Sequence, residues 1–375
     1  MNDINTHSED RDDSGAAAPS LPFDLAEPFG LRAWEKQALL CSTLNELSTW
    51  HSERCLPYRQ MRARMFASGP ARTREEVPYL PVRLFKTLEL ASIPKNEIIK
   101  TLTSSGTTGQ AVSRIFLNRE TSIRQTRVLT AIMASFLGKK RLPMVIVDSP
   151  GLMKDRTRFN ARAAGILGFS VFGRNHHYCL DDQLALNADG LHAFLEQHRD
   201  TPVLAFGFTF VVWQGLLQEA KRTGRKFDFG TGSTLIHGGG WKRLTDQQVD
   251  NDTFKQGLRE QLGIDKIFNY YGMVEQVGSI FIECERGHLH APVFADVIVR
   301  DTLTLEPLPP GQPGVIQVLS ALPTSYPGHS LLTEDMGILH GEDDCPCGRA
   351  GRHFSVTGRL PQVEMRGCSD TRVMS

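Results

Sequence analysis

The stretch TLTSSGTTGQ, residues 101–110, crowds hydroxyl side chains around two glycines. Glycine lets backbone N–H groups close on an anion, and serine and threonine hydroxyls add donors of their own, so the composition suits a phosphate cradle. It is not the loop of the P-loop NTPases, which needs GxxxxGK followed by Ser or Thr. Here Gln110 stands where a lysine might, and A-V-S follows. Any cation that meets the phosphates comes from elsewhere in the chain. Alone, such a loop is a surface turn more often than a nucleotide site, so its surroundings decide.

The chain has 375 residues, enough to bury a large core. Lys plus Arg and Asp plus Glu both total 42, a balance that gives neither a nucleic-acid footprint nor a membrane-steering field. No apolar run approaches the roughly 20 residues of a membrane span, and the acidic, polar start is not a secretion signal. Seven cysteines, an odd number spread along the chain, read as reduced thiols in a cytoplasm. Residues 1–20 hold almost no core-forming side chains and are expected to be a disordered tail.

The ordered part is expected to start near Leu21 and to run to residue 375. Helical periodicity dominates to about residue 100. Strands are then predicted at 143–148, 202–207, 233–237 and 266–270, alternating with helices near 119–137, 155–167, 187–199, 210–223 and 245–262. That alternation makes an α/β fold with a mostly parallel, helix-covered sheet over residues 100–280. Residues 281–375 shift to short strands such as FADVIVR and GVIQVLS, a smaller β-rich part that ends in a hinge-like segment.

Four further motifs follow the loop in order: IHGGGW (236–241), NYYGMVE (269–275), LLTEDMG (331–337) and GRLPQVEMRG (358–367). Tyr271 offers an aromatic face for stacking, Gly272 allows a turn after a strand, and Glu275 is a hard oxygen donor suited to Mg²⁺. This ordered series resembles the adenylate-forming superfamily, which implies that residues 21–375 are one enzyme core and residues 100–280 its nucleotide-binding part. The resemblance implies that Ser104, Ser105, Gly106, Thr107, Thr108 and Gly109 wrap the phosphates of ATP, and that Gly238, Gly239 and Gly240 pass the adenine with their backbone. It also implies that Asn269 and Tyr271 contact the base, Glu275 binds Mg²⁺, Asp335 holds the ribose hydroxyls and Arg359 lies near the nucleotide.

Longer strings narrow the resemblance. VPYLPVRLFK (77–86), LTSSGTTGQ, HGGGWK, YYGMVEQ, SYPGHSLLTED (325–335), CPCGR (345–349) and RGCSDT (366–371) resemble the acyl-protein synthetases of bacterial bioluminescence, with phenylacetate-CoA ligases as more distant relatives. The family implies activation of a carboxylic acid, in its own case a long-chain fatty acid, as an acyl-adenylate. It further implies transfer to a protein cysteine as a thioester, and docking to an acyl reductase partner. Most of the superfamily continues past the R-G motif into a mobile domain that brings a lysine, whereas this chain ends at Ser375. Arg359, Arg366, Arg352 and Lys242 are the candidate replacements, with Arg359 favoured by its motif position. Cys368, flanked by Arg366 and Gly367, sits where its thiolate is favoured electrostatically, and the family implies a self-acylating cysteine there. Two other readings stay open: a CoA ligase, and a nucleotide-binding scaffold without turnover.

A second constellation joins ECERGHLH (283–290) to CPCGR. Cys284, one of His288 and His290, Cys345 and Cys347 would complete a tetrahedral Cys3His structural zinc site, and the phenylacetate-CoA ligase resemblance favours His290. Three unligated cysteines are the alternative. His176 and His177 have no such company and are read as part of a polar loop. The acyl pocket draws on dispersed apolar residues such as those of 205–213, which do not distinguish an aliphatic from an aromatic acid.

Overall fold

The structure, a computed structural model, describes residues 17–104, 112–154, 161–241 and 248–360. In chain order its strands are β1 (Leu80–Pro81), β2 (Lys100–Thr103), β3 (Arg114–Leu117), β4 (Leu142–Val147), β5 (Gly173–Tyr178), β6 (Leu204–Phe208) and β7 (Thr234–Gly238). They continue with β8 (Lys266–Tyr271), β9 (Phe281–Glu283), β10 (Leu289–His290), β11 (Ala295–Arg300), β12 (Pro313–Ser320), β13 (Ser330–Glu342) and β14 (Arg352–Arg359). β2 and β3 form a separate hairpin. The others make one sheet in the order β11-β12-β13-β14-β10-β9-β8-β7-β6-β4-β5, with β1 alongside β13.

The stretch from β5 through β4, β6 and β7 to β8 is parallel, as the apolar runs predict. Both of its faces are covered. Met144 and Ile146 of β4 enter one core with Phe206, Ile236 and Phe268, while Val145 and Val147 enter a second with Ala205, Leu235 and Ile267. This is the period-two alternation of a strand buried on two sides. Helices Arg119–Leu137, Ala188–Gln197 and Asn251–Leu262 start where Asn118, Asn187 and Asp250 accept hydrogen bonds from backbone N–H groups three residues on. The Asp250 cap explains why the helix expected from 245 begins at Asn251; residues 242–247 lie outside the described residues. The helix expected at 155–167 is described as Ala161–Ser170, and residues 155–160 likewise lie outside.

At β8 the sheet changes sense: β8 to β9, and every later pair out to β11, is antiparallel. His176 and His177 are not in a loop; they lie in the edge strand β5. His176 Nε2 lies 2.9 Å from the Ser170 carbonyl, and the His177 ring stacks on Phe194 at 5.1 Å. An edge strand needs only one hydrogen-bonding side and tolerates such polar residues. Of the expected tail, residues 1–16 lie outside the described residues, and 17–20 have no regular structure. Among the described residues no helix is long and apolar enough to cross a membrane.

Lys36 of helix Ala33–Arg54 and Arg74 of the turn Arg74–Glu76 meet the antiparallel half through buried ions. Arg74 bonds Asp296 and, at 2.8 Å, Glu342, while Lys36 approaches Asp296 at 3.7 Å. Burial alone would raise the Asp296 carboxyl, yet Lys36, Arg74 and Arg352 hold it well below the usual carboxylate range. Arg74→Ala leaves that carboxylate short of a partner, and a loss of about 3–5 kcal/mol is expected by urea unfolding. In the wild type the Asp296 contribution is present above about pH 4 and is lost as the pH falls towards the depressed value.

Candidate active site

β4, β6, β7 and β8 end at one edge of the sheet, the edge at which α/β folds bind ligands. Gly238 closes β7 opposite Tyr270 of β8. A Cβ at Gly238 would run into the Tyr270 ring, so this position excludes any other residue. Gly239 follows with φ +76°, a turn that glycine takes without strain, and Gly240 opens onto free space.

Asn269 and Tyr271 sit on the last turns of β8's pleat. The Asn269 N–H donates to Glu283 Oε2 at 2.9 Å, which ties β8 to β9, and Glu283 is itself paired with Lys255 at 2.8 Å. The Tyr271 hydroxyl donates to Asp335 Oδ2 at 2.7 Å. Arg359 Nε donates to Asp335 Oδ1 at 3.3 Å, and the register sets Asp335 opposite Arg359. Three residues from three motifs therefore meet at one carboxylate. Burial and the Asp335 charge push the Tyr271 phenol well above its ordinary value, which keeps its proton in place as a donor. This direct bond between Tyr271 and Asp335 is absent from the sequence reading, which gives the two residues separate partners.

Glu275 lies in the short turn Val274–Gln276 beyond Gly272. Gln276 Nε2 pins that turn by donating to the carbonyls of Gly328, at 2.8 Å, and Val318, at 3.2 Å. Gly328 must be glycine because a Cβ there would strike the Glu275 carbonyl and the Tyr326 ring. Burial pushes the Glu275 carboxyl up, while Ser113 and Lys86 pull the other way. A single buried carboxylate fits Mg²⁺, which takes one or two carboxylates together with phosphate oxygens and water.

Ser104 and Ser113 close the hairpin at the foot of the hydroxyl loop: the Ser113 N–H donates to Ser104 Oγ at 2.9 Å, and the Ser104 N–H to the Ser113 carbonyl at 3.3 Å. Ser105, Gly106, Thr107, Thr108, Gly109 and Cys368 lie outside the described residues, as do Lys242 and Arg366. Of the candidate cations, Arg352 is engaged by Glu75 at 2.5 Å and by the Val297 carbonyl at 2.8 Å. Arg359 is largely exposed beside Asp335.

The second constellation also assembles. The β9–β10 hairpin brings Cys284 and His290 to the turn that carries Cys345 and Cys347, and the four ligand atoms lie within 4.8 Å of one another. Cys284 and Cys345 Sγ are 3.9 Å apart, and Cys347 Sγ is 3.3 Å from His290 Nε2. Tetrahedral zinc at ordinary bond lengths sets its ligand atoms about 3.4–3.8 Å apart. Burial drives the His290 imidazole down to about 3 and the Cys345 thiol up to about 12. The imidazole is thus neutral and ready to ligate. The donor set fits zinc, with His290 rather than His288 in the four-ligand group.

Comparison with known proteins agrees with this layout. The sequence model of the family described as acyl-protein synthetase, LuxE, matches residues 18–375. A long-chain-fatty-acid–luciferin-component ligase of Aliivibrio fischeri is 25% identical over 338 residues, 89% of this chain and 88% of that protein. Its counterpart of Vibrio harveyi is 23% identical over 318 residues, 83% and 81%. Among solved structures, 2-hydroxyisobutyryl-CoA ligase in an open conformation with 2-HIB-AMP and CoA superposes with a TM-score of 0.65 at 15% identity, covering 89% of this chain and 76% of that one. The same ligase in its postadenylation state gives 0.66 at 15% identity, covering 88% and 69%. These structures share the fold of the adenylate-forming enzymes, and the family match spans nearly all of the sequence: the chain belongs to the LuxE family of acyl-protein synthetases and is an acid–thiol ligase.

Proposed function

We propose that the protein uses ATP to activate a long-chain fatty acid and then carries the acyl group on Cys368 for delivery to an acyl reductase partner. The observation that carries this reading is the meeting of Tyr271, Asp335 and Arg359 at the ligand-binding edge, with Glu275 beyond the same strand. The carboxylate oxygen attacks the α-phosphorus and pyrophosphate leaves; no base is needed, because the acid is already ionised near neutral pH. Tyr271 and Asp335 orient the nucleoside, and the hydroxyl loop and Arg359 take up phosphate charge. Glu275 would hold Mg²⁺, whose part is to neutralise the phosphates. A thiolate then attacks the acyl carbonyl of the mixed anhydride, AMP leaves and a thioester forms.

Cys368 gains support by elimination. Cys41, Cys55, Cys179, Cys284 and Cys345 are buried, and Cys347 is one of the four residues of the candidate metal set. Incubation with ATP and labelled fatty acid without CoA tests the reading: covalent, hydroxylamine-labile label on the protein is expected. Pyrophosphate exchange without label would return the protein to the CoA ligases.

The Cys284–His290–Cys345–Cys347 set is proposed as a structural zinc site. About one equivalent of zinc is expected by atomic absorption, lost in Cys345→Ser together with several degrees of thermal stability. A fully stable metal-free protein would remove the site.

A further inference from the structure

We infer that His288, His353 and Cys345 form a second metal position beside the zinc cluster, with the Cys345 thiolate shared between the two ions. The inference rests on the zinc reading of the first set and extends it. The Nδ1 atoms of His288 and His353 are 3.0 Å apart, and His288 Nδ1 is 3.8 Å from Cys345 Sγ; all three ligand atoms lie within 4.8 Å of one another. A zinc-sized ion bound at ordinary lengths would set N from N by about 3.3 Å and S from N by about 3.6 Å. Two of the three spacings are already within about 0.3 Å of those of a ligated set.

The proton inventory points the same way. His353 Nε2 lies 2.8 Å from Asp344 Oδ1, so that nitrogen carries the hydrogen and Nδ1 offers its lone pair to the space shared with His288 and Cys345. A carboxylate behind an imidazole, fixing its tautomer for a metal in front, is the usual arrangement around bound ions. The backbone makes room for it. Gly341 lies where any Cβ would collide with the Asp344 carboxylate. Asp343, at φ +64°, turns the chain and is itself held by the N–H groups of Gly351 and Ala33, each at 2.7 Å. His340 stacks on the His288 ring at 4.6 Å and is anchored by Ser355 at 3.0 Å, which fixes the plane of the ligand.

The two positions differ in kind. The first has four protein ligands, three of them buried, and is closed. The second has three, of which His288 is half-exposed, and leaves a coordination place for water or an incoming ligand. Such a site takes a soft divalent ion such as Zn²⁺ or Co²⁺, exchanges it, and binds it more weakly than the closed one.

The test uses the full-length protein as purified, with its first ion bound, titrated with Co²⁺ and followed by native mass spectrometry and thiolate-to-cobalt charge-transfer absorption. One further equivalent is expected, with a charge-transfer band because Cys345 is a ligand. His353→Ala should abolish that equivalent and retain the first. Asp344→Asn keeps every ligand atom and should weaken the second site about 10–100-fold, which covers the case in which His353→Ala misfolds. A wild type that takes no further ion overturns the proposal, with the histidines then a packed stack in which His288 Nδ1–H donates to His353. So does a second equivalent indifferent to both substitutions. Protein that binds no ion in either position removes the zinc reading as well, so the two failures are told apart.

Discussion

Cys368→Ser protein is expected to exchange pyrophosphate into ATP at the wild-type rate in the presence of fatty acid, and to acquire no hydroxylamine-labile acyl label. The first half-reaction asks for the nucleotide edge, the loop and the carboxylate, none of which involves this side chain. The second asks for a thiolate, and a serine hydroxyl near neutral pH is almost wholly protonated and far less nucleophilic. Any slow oxyester would resist mild hydroxylamine. The substitution therefore separates the steps, and delivery to a reductase stops with the second. Label that persists would have to sit on another cysteine. Two of the other cysteines are poorly placed for it: Cys179 is fully buried, with its thiol pushed well up by desolvation, and Cys284 belongs to the proposed zinc set.

Glu275→Gln should lower the pyrophosphate-exchange rate by about 10²-fold or more and raise the Mg²⁺ requirement, with the fold intact. Glutamine keeps the shape and removes the charge. The stability readout is independent of turnover. Because burial raises the Glu275 carboxyl in the folded state, the wild type without Mg²⁺ binds this proton more tightly folded than unfolded. Its contribution to stability is fully present below about pH 4 and is lost as the pH rises through the raised folded value. Glu275→Gln should flatten that decline, so the variant melts no lower than the wild type at pH 7. A variant that retains full exchange and wild-type Mg²⁺ dependence would take Glu275 out of the metal role.

The parallel half of the sheet was legible because each of its strands is buried on both faces and reads as an apolar run; β4, β6, β7 and β8 fall within two residues of their predicted bounds. β13 and β14 were not. Residues 330–342 contain Thr333, Glu334, Asp335 and His340, and the strand is interrupted by register shifts after Met336 and Leu339, so no simple alternation survives. Its extended form comes from partners on both sides, which a local pattern does not contain. The site divides the same way. Glycine, tyrosine and carboxylate in ordered motifs named Gly238, Tyr271, Glu275 and Asp335, but that Tyr271 bonds Asp335 depends on strands 64 residues apart lying close enough for a 2.7 Å contact. The four-ligand cysteine and histidine set was visible as two pairs. His353 was missed because its only signal is proximity: it sits opposite His290 across the β10–β14 pairing.

The change of strand sense at β8 makes that strand a keystone. It is hydrogen-bonded on both sides, to a parallel neighbour and to an antiparallel one, so it cannot slip without breaking two kinds of ladder together. A slip of one residue would also reverse its faces, presenting Tyr270 where Tyr271 now meets Asp335. The groups proposed to read the nucleotide are thus held in a fixed frame, and a rearrangement between adenylation and acyl transfer would have to pass around β8 rather than through it.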